Sequence, residues 1–306
     1  MKNKIEFYYN IVIDNLHKKN DKYFFYINNN KFVFRPYYDS KSRINTLMIL
    51  TTYISNIIDI DKVVVNKYNS PITVIDGIPY ILINYKDIKK ISLVEISNLS
   101  NINNFENCYV KELERNNWEI LWENRIDYLE EHIGHNEKKY SLIRESFDYF
   151  IGLAENAISY LINTKKELKP SIYDKKVLSH NNLKSSLYDP SNIILDHKSR
   201  DVAEYIKLSF LNNNKNIFDE LQNYFYYNYY SEYGIRILFS RIIYPNFYFD
   251  IYDDIIQNKC NEKKLNIIIN KINDYELFLW NIYSFLSKYH NIPIPEWIKK
   301  RGLNPH

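Results

Sequence analysis

The groups best able to do chemistry in this 306-residue chain are few and scattered. His132 and His135 stand three residues apart beside Glu131, a spacing that can put two imidazoles on one helix face and hold a metal. No further ligand follows at a metal-site interval, so a solvated helix face or turn is the plainer reading. His132-Ile133-Gly134-His135 also spells a nucleotide-enzyme signature, but that motif needs a preceding Rossmann strand, and charged helical sequence precedes it here. Cys108 and Cys260 lie far apart and make no C-x-x-C motif. Tyr224–Tyr230 (YFYYNYY) has the composition of a stacking platform for single-stranded nucleic acid. Yet Lys+Arg 40 against Asp+Glu 37 gives a net charge of +3, with the lysines interleaved among acids rather than gathered in a groove. Nucleic acid is therefore not expected as a partner. Core packing accounts for much of the run. A helix of period 3.6 cannot turn seven consecutive, mostly aromatic residues toward one core. At least two of Tyr226, Tyr227, Tyr229 and Tyr230 are thus expected to be exposed, as part of an assembly surface.

The elements that must position such groups come from the patterning. The chain has 30 tyrosines and 16 phenylalanines but only 5 glycines, and its alanines are Ala154, Ala157 and Ala203. Lys, Asn, Ile, Tyr and Phe all have A/T-rich codons, so this bias is read as genomic. The first glycine is Gly77, which excludes a glycine-rich phosphate cradle before it. No run of 18 apolar residues exists and no secretory leader opens the chain, so membrane insertion is not expected and synthesis in the cytoplasm is. Tyr23–Ile27 and Lys31–Arg35 read as a hairpin across three asparagines, ended by Pro36. Ile44–Ile58 reads as a helix, and Pro71–Ile75 and Pro79–Ile83 as a second hairpin across Asp76-Gly77. A polar stretch follows near Asn84–Asn104. Helices are expected over Glu112–Glu130, Tyr140–Leu161, Asp201–Phe210, Ile217–Tyr230, Tyr233–Ile243 and Leu265–His290, with a short tail after Pro295. Among them, Val177-Leu178 and Ile193-Ile194-Leu195 bracket a polar loop that begins Ser179-His180-Asn181-Asn182-Leu183. The expected class is α+β: a small β-rich N-lobe over residues 1–85 and a helical C-lobe over residues 86–306.

At that loop the sequence resembles the aminoglycoside phosphotransferase and choline kinase superfamily, a branch of the protein-kinase-like fold. His180-Asn181-Asn182-Leu183 stands where the family has H-G-D-L, and Ser191–His197 (SNIILDH) where it has a strand ending in I-D-W. Ser199-Arg200-Asp201-Val202-Ala203 is similar to its D-L-A helix start. With Phe147–Ile158 (FDYFIGLAENAI), the pattern looks most like the kinase-like spore coat proteins of endospore-forming Firmicutes. The resemblance is loose along the whole chain and specific from about Arg125 to Phe210.

The departures from that pattern bear on activity. The resemblance puts the phosphotransfer base at Asn182, and a carboxamide has no useful basicity near neutral pH. It puts a metal-ligand Asn at Leu187, which has no ligand oxygen. The metal Asp falls at Asn192 or, by another register, at Asp196. Arg35 stands at the position of the strand lysine that holds nucleotide phosphates, while the following helix has no acid to pair with it. His180 and Asp201 are read as structural, Asp201 capping a helix start. The resemblance thus implies a catalytically degenerate kinase-like coat component that needs no cofactor and partners other coat or assembly proteins. The alternatives are an active phosphotransferase using Asp196 with ATP and Mg²⁺, or a nucleotide-binding switch. Were the fold right, His180 and Asp196 would lie near an interlobe cleft.

Overall fold

A computed structural model describes residues 1–85, 91–102, 110–136, 138–183 and 189–303. Two compact units result: Met1–Arg115 with Val177–Asp196, and Asn116–Lys176 with His197–His306. This division differs from the boundary expected after residue 85. The hairpin bearing the polar loop belongs with the first unit, where Arg115 N–H donates to the Leu195 carbonyl at 2.8 Å.

The first unit is built on an antiparallel sheet. Its strands are β1 (His17–Lys19), β2 (Lys22–Ile27), β3 (Asn30–Pro36), β4 (Lys62–Val64), β5 (Thr73–Ile75) and β6 (Ile78–Tyr85). They run in the order β1-β2-β3-β6-β4, with β5 also on β6. Both expected hairpins form. Asn28 and Asn29 take φ of 47° and 63°, and Asp76 and Gly77 take 53° and 79°, the positive pair that two-residue hairpins need. Asparagine does this elsewhere too, at Asn10, Asn20, Asn69, Asn117, Asn213 and Asn258. In a glycine-poor chain its short polar side chain tolerates the left-handed region best. Phe25 and Phe34 fill the sheet's buried face, with Phe34 stacked on Tyr80 at 4.7 Å. Helix α1 (Lys2–Tyr9) covers them with Ile5 and Tyr9. The sequence patterning missed it because Lys2, Asn3, Lys4 and Glu6 break up its apolar residues.

Helix α2 (Lys41–Ile54) starts and ends about a turn earlier than expected, because Ser40 caps it by accepting from Arg43 N–H at 3.0 Å. Its stripe of Ile44, Leu47, Leu50 and Ile54 is fully buried. The stretch read as polar contains α3 (Leu93–Ser100), capped by Ser92 and burying Ile96 and Leu99. Strands β7 (Lys176–His180) and β8 (Ile193–His197) form the separate two-stranded ladder.

The second unit is helical: α4 (Trp118–Asn136), α5 (Ser141–Glu167), α6 (Ser199–Leu211), α7 (Ile217–Tyr227), α8 (Glu232–Ile243), α9 (Asn246–Ile256), α10 (Asn266–Ile269), α11 (Ile272–Leu286) and α12 (Glu296–Leu303). The helix expected from Glu112 begins instead at Trp118, since Asn117 stands at φ 53°. The Leu265–His290 pattern splits at Asn270-Lys271. The tail after Pro295 is a helix, whose Gly302 lies so close to Trp280 that a Cβ would fall 2.1 Å from the indole. Helix α8 packs on α5 and α6. Lys207, 3% exposed, donates to the Arg241 and Tyr244 carbonyls at the end of α8 (3.0 and 3.2 Å) and pairs with Glu204 at 2.8 Å. These contacts satisfy both a buried ammonium and the orphan carbonyls of a helix terminus.

Candidate functional site

The loop between β7 and β8 carries the residues singled out from sequence. β7 delivers His180, 2% exposed, at its end. Asn182 and Asn192 then hold each other. The Asn182 N–H donates to Asn192 Oδ1 at 2.8 Å, and Asn192 Nδ2 donates to the Asn182 carbonyl at 2.9 Å. The Asn181 N–H adds a bond to the Asn192 carbonyl at 2.7 Å. This clamp needs one acceptor and one donor on the same side chain. A carboxamide has both and a carboxylate has only the first. Both ends of the residue 192 side chain are therefore bonded to the loop backbone. Asp196 lies near the end of β8, 1% exposed, and Asp201 in the first turn of α6, 2% exposed. Leu187 lies outside the described residues.

Arg35, near the end of β3, is held within its own unit. Its Nη2 donates to Asp189 Oδ2 at 2.6 Å and also to Ser191 Oγ. Asp189 in turn caps the 3₁₀ turn Pro190–Asn192, its Oδ1 accepting from the Ser191 N–H and hydroxyl at 2.9 and 2.8 Å. The Arg35 and Asp189 side chains are only 20% and 13% exposed, so the pair is shielded from much of the solvent that weakens surface ion pairs. A second arginine does parallel work. Arg43, in the first turn of α2, pairs with Asp39 at 2.8 Å and donates to the Glu112 and Ile193 carbonyls at 3.2 and 3.1 Å. Helix α2 is thus tied to the start of β8 by an arginine, with no acid along its length.

Sequence reasoning missed Asp189 and Arg43. Asp-Pro-Ser is a legible turn-start signature. The Arg35 partnership spans 154 residues and has no local signal.

The second unit holds a polar cluster that the sequence also left unread. Asp174 accepts from the Ser171 N–H and hydroxyl at 2.6 and 2.7 Å, from Ser231 Oγ at 2.7 Å and from His197 Nε2 at 3.4 Å. Burial alone would raise its carboxyl. The hydrogen bonds from His197, Ser231 and Ser171 outweigh burial and hold it well below the usual carboxylate range. His197 Nδ1 accepts from the Ser199 N–H at 3.1 Å, which leaves the ring proton on Nε2, facing Asp174. The Asp–His–Ser order imitates a hydrolytic triad, but Ser199 is fully buried and a nucleophile must be reachable. The cluster ties together the 171–174 loop and the starts of α6 and α8.

Comparison with known proteins adds to this geometry. Residues 2–282 match the family model described as "Spore coat putative kinase YutH". Endospore coat-associated protein YutH of Bacillus subtilis (strain 168) is 32% identical over 209 residues, covering 60% of this chain and 61% of that protein. The match thus spans less than two thirds of the relative's length. Among solved structures, an aminoglycoside phosphotransferase from Alicyclobacillus acidocaldarius aligns with a TM-score of 0.64 at 11% identity, covering 94% of this chain and 97% of that one. A spectinomycin phosphotransferase in complex with ADP and spectinomycin gives 0.57 at 13% identity, covering 97% and 95%. Identities this low carry the fold, and the fold is the kinase-like one expected from the loop motif.

Proposed function

The chain belongs to the YutH family of kinase-like spore coat proteins, and from that premise we propose that it is a catalytically degenerate kinase-like protein that works in the spore coat by assembly rather than by phosphoryl transfer. The observation that carries this reading is the Arg35–Asp189 pair at 2.6 Å. In a kinase-like fold the cation at this strand position faces nucleotide phosphates. Here a neighbouring carboxylate has taken it. A phosphate would have to displace Asp189 and leave that half-buried anion beside its own charge, a costly exchange. Asn182 supplies no base, the Asn192 carboxamide is bonded to backbone, and α2 offers no acid. These residues do not fit ATP with Mg²⁺.

Thermal denaturation with Mg-ATP tests this reading. Ligand binding to the native state stabilises it by RT ln(1 + [L]/Kd), about 2.7 kcal/mol at a hundredfold excess over Kd. The expected melting shift at millimolar Mg-ATP is no more than about a degree. A clear Mg²⁺-dependent shift would favour a nucleotide switch. Isotope transfer from labelled ATP that is lost in Asp196→Asn would establish an active phosphotransferase instead. For the assembly role, a tagged chain carrying Tyr226→Ser and Tyr227→Ser should enter the coat less well than wild type while melting at nearly the same temperature. Unchanged incorporation would count against it.

A further inference from the structure

The two edges of the antiparallel sheet in the first unit are built differently. One edge is β1, whose His17, Lys18 and Lys19 are all exposed. Charge of this kind keeps an edge strand from pairing with another chain. At the other edge β4 runs into Val65, so that Val63, Val64 and Val65 stand in a row. The side chains of β4 are used within the unit. Val64 packs on the core that α1 covers, and Val63 lines a hollow of about 110 Å³ with Lys62 and with Met48, Thr51, Thr52 and Ser55 at the end of α2. The backbone of β4 is used on one side only. Pro79, which has no N–H, accepts from the Tyr37 N–H at 2.9 Å on the β3 side of β6. Backbone groups alternate sides along a strand, so Leu82 and Asn84 point the other way and bond Val64 and Lys62. Val63, opposite Ile83, therefore directs its N–H and carbonyl away from the sheet, and Val65 is next in that row. Among the described residues no hydrogen bond is made by either of these two N–H and carbonyl couples.

Helix α2 lies beside this edge, and its outer face is unusual. From Asn45 to Ile58 the chain has no charged residue. Yet Ile49 and Ile57 are 62% and 54% exposed, and Thr52 and Asn56 face solvent with them. Ile49 and Thr52, three residues apart, share one face of α2, and Thr52 lines the hollow next to Val63. A solvated helix face ordinarily carries charge. Exposed apolar residues on a face depleted of charge mark the core of an interface.

We propose that the chain forms a symmetric dimer in which β4 pairs antiparallel with β4 of a second copy, so that two sheets become one. The register sets Val64 opposite its own copy and Val63 opposite Val65 of the second copy, which takes up every open couple of both strands. Lys62 then faces Asn66 of the second copy. The two Lys62 residues stand four positions, about 13 Å, apart along the strands, beyond the screening length of about 8 Å at physiological salt. The uncharged faces of α2 flank the paired strands and add the apolar area that a short ladder lacks. A foreign segment is the poorer occupant. The hollow is well below the size of about 300 Å³ at which pockets begin to select a ligand, so the edge has little with which to choose a sequence. The valine row and the uncharged helix face, by contrast, complement themselves under a twofold axis. The dimer does not depend on the assembly reading above, and phosphotransfer activity, if found, would overturn that reading and leave the dimer intact.

The test is analytical sedimentation of the full chain over a range of concentrations, where a reversible dimer is expected. Val63→Pro removes the outward N–H and leaves the β6 ladder whole, because that N–H makes no bond in the sheet. Val65→Lys sets an ammonium into the valine row at a residue already exposed. Each should raise the dimer dissociation constant by about tenfold or more while leaving the melting temperature nearly unchanged. The lysine variant keeps the test decisive should the proline variant fold poorly. Cross-linking checks the register. In a chain carrying Cys108→Ser and Cys260→Ser, Val64→Cys should oxidise under diamide to a covalent dimer, since directly opposed residues of a non-bonded pair lie within disulfide reach. Lys62→Cys in the same background should not. A chain that stays monomeric at high micromolar concentration, a dimer indifferent to both Val63→Pro and Val65→Lys, or a cross-link through Lys62→Cys in place of Val64→Cys would overturn the proposal. A monomer whose β4 edge pairs with an extended segment of another protein would do the same.

Discussion

Two aromatic runs of this chain, Tyr224–Tyr230 and Tyr244–Tyr252, look alike in sequence and end in opposite places. In the second run Tyr244, Phe247, Tyr248, Phe249 and Tyr252 are all buried, with Tyr248 stacked on Phe150 at 4.1 Å. In the first run Tyr224, Phe225 and Tyr230 are buried, while Tyr226, Tyr227 and Tyr229 face solvent. Both helices have the same period, and the difference lies in their surroundings. Tyr248 has Phe150 of α5 on one side and its own neighbour Phe249 on the other. Helix α7 meets α11 through Phe218 and Phe225, which touch Phe278 and Phe285, and α6 through the Tyr205–Glu220 bond, while Tyr226 and Tyr227 stay 81% and 82% exposed. Aromatic density therefore says that a segment will bury something. It does not say how many of its faces have a neighbour.

The largest effect is expected at Tyr248. Tyr248→Ala removes a fully buried ring and its 3.0 Å bond with Ser146, and should cost about 3–5 kcal/mol in denaturant unfolding. A loss under about 1 kcal/mol would mean that the second run is not core.

Alkaline pH should come next. Burial pushes the Tyr224 hydroxyl up from its ordinary 10.0 to about 12, against the lowering effect of its bond with Tyr230. A group whose folded value is raised lends stability that is complete below its unfolded value and lost as pH rises through the folded one. Unfolding free energy should hold level to about pH 10 and fall beyond it, and Tyr224→Phe should flatten that decline. An unchanged alkaline limb would show that the hydroxyl is not buried.

Asp174 gives the mirror-image case on the acid side. Its folded value is depressed, so its contribution is present above the ordinary carboxylate value and is lost as pH falls below it. Asp174→Asn should lower stability at neutral pH by about 1–3 kcal/mol and make the acid limb shallower. Equal acid limbs in the two proteins would remove the cluster from the account.

The smallest effect is expected at the exposed end of the first run. Tyr226→Ser with Tyr227→Ser should leave stability within about 0.5 kcal/mol. A larger loss would erase the distinction between the runs.

Legibility in the sequence followed the range of the interaction. The two hairpins, the α2 stripe and the β7–loop–β8 motif were readable, because each is written in a few neighbouring residues. Helix α3 was hidden by the polar stretch around it, although the Ser92 cap and the Leu93, Ile96 and Leu99 spacing are both local signals for it. The Asn182 position announced itself by its residue type. The partner that neutralises Arg35 did not, since Asp189 reads locally as an ordinary turn cap.

What the sequence determined by itself is the set of local conformations. Asparagine took the left-handed turns that few glycines could fill, serine caps set where α2 and α3 begin, and apolar periodicity gave strand or helix. What only the tertiary structure decided is which polar group meets which. Arg35 finds Asp189, Asn192 closes on Asn182, and three tyrosines of one run remain in water while their neighbours do not. Those outcomes depend on residues tens to hundreds of positions apart, and a sequence written in one dimension records no such distance until the chain has folded.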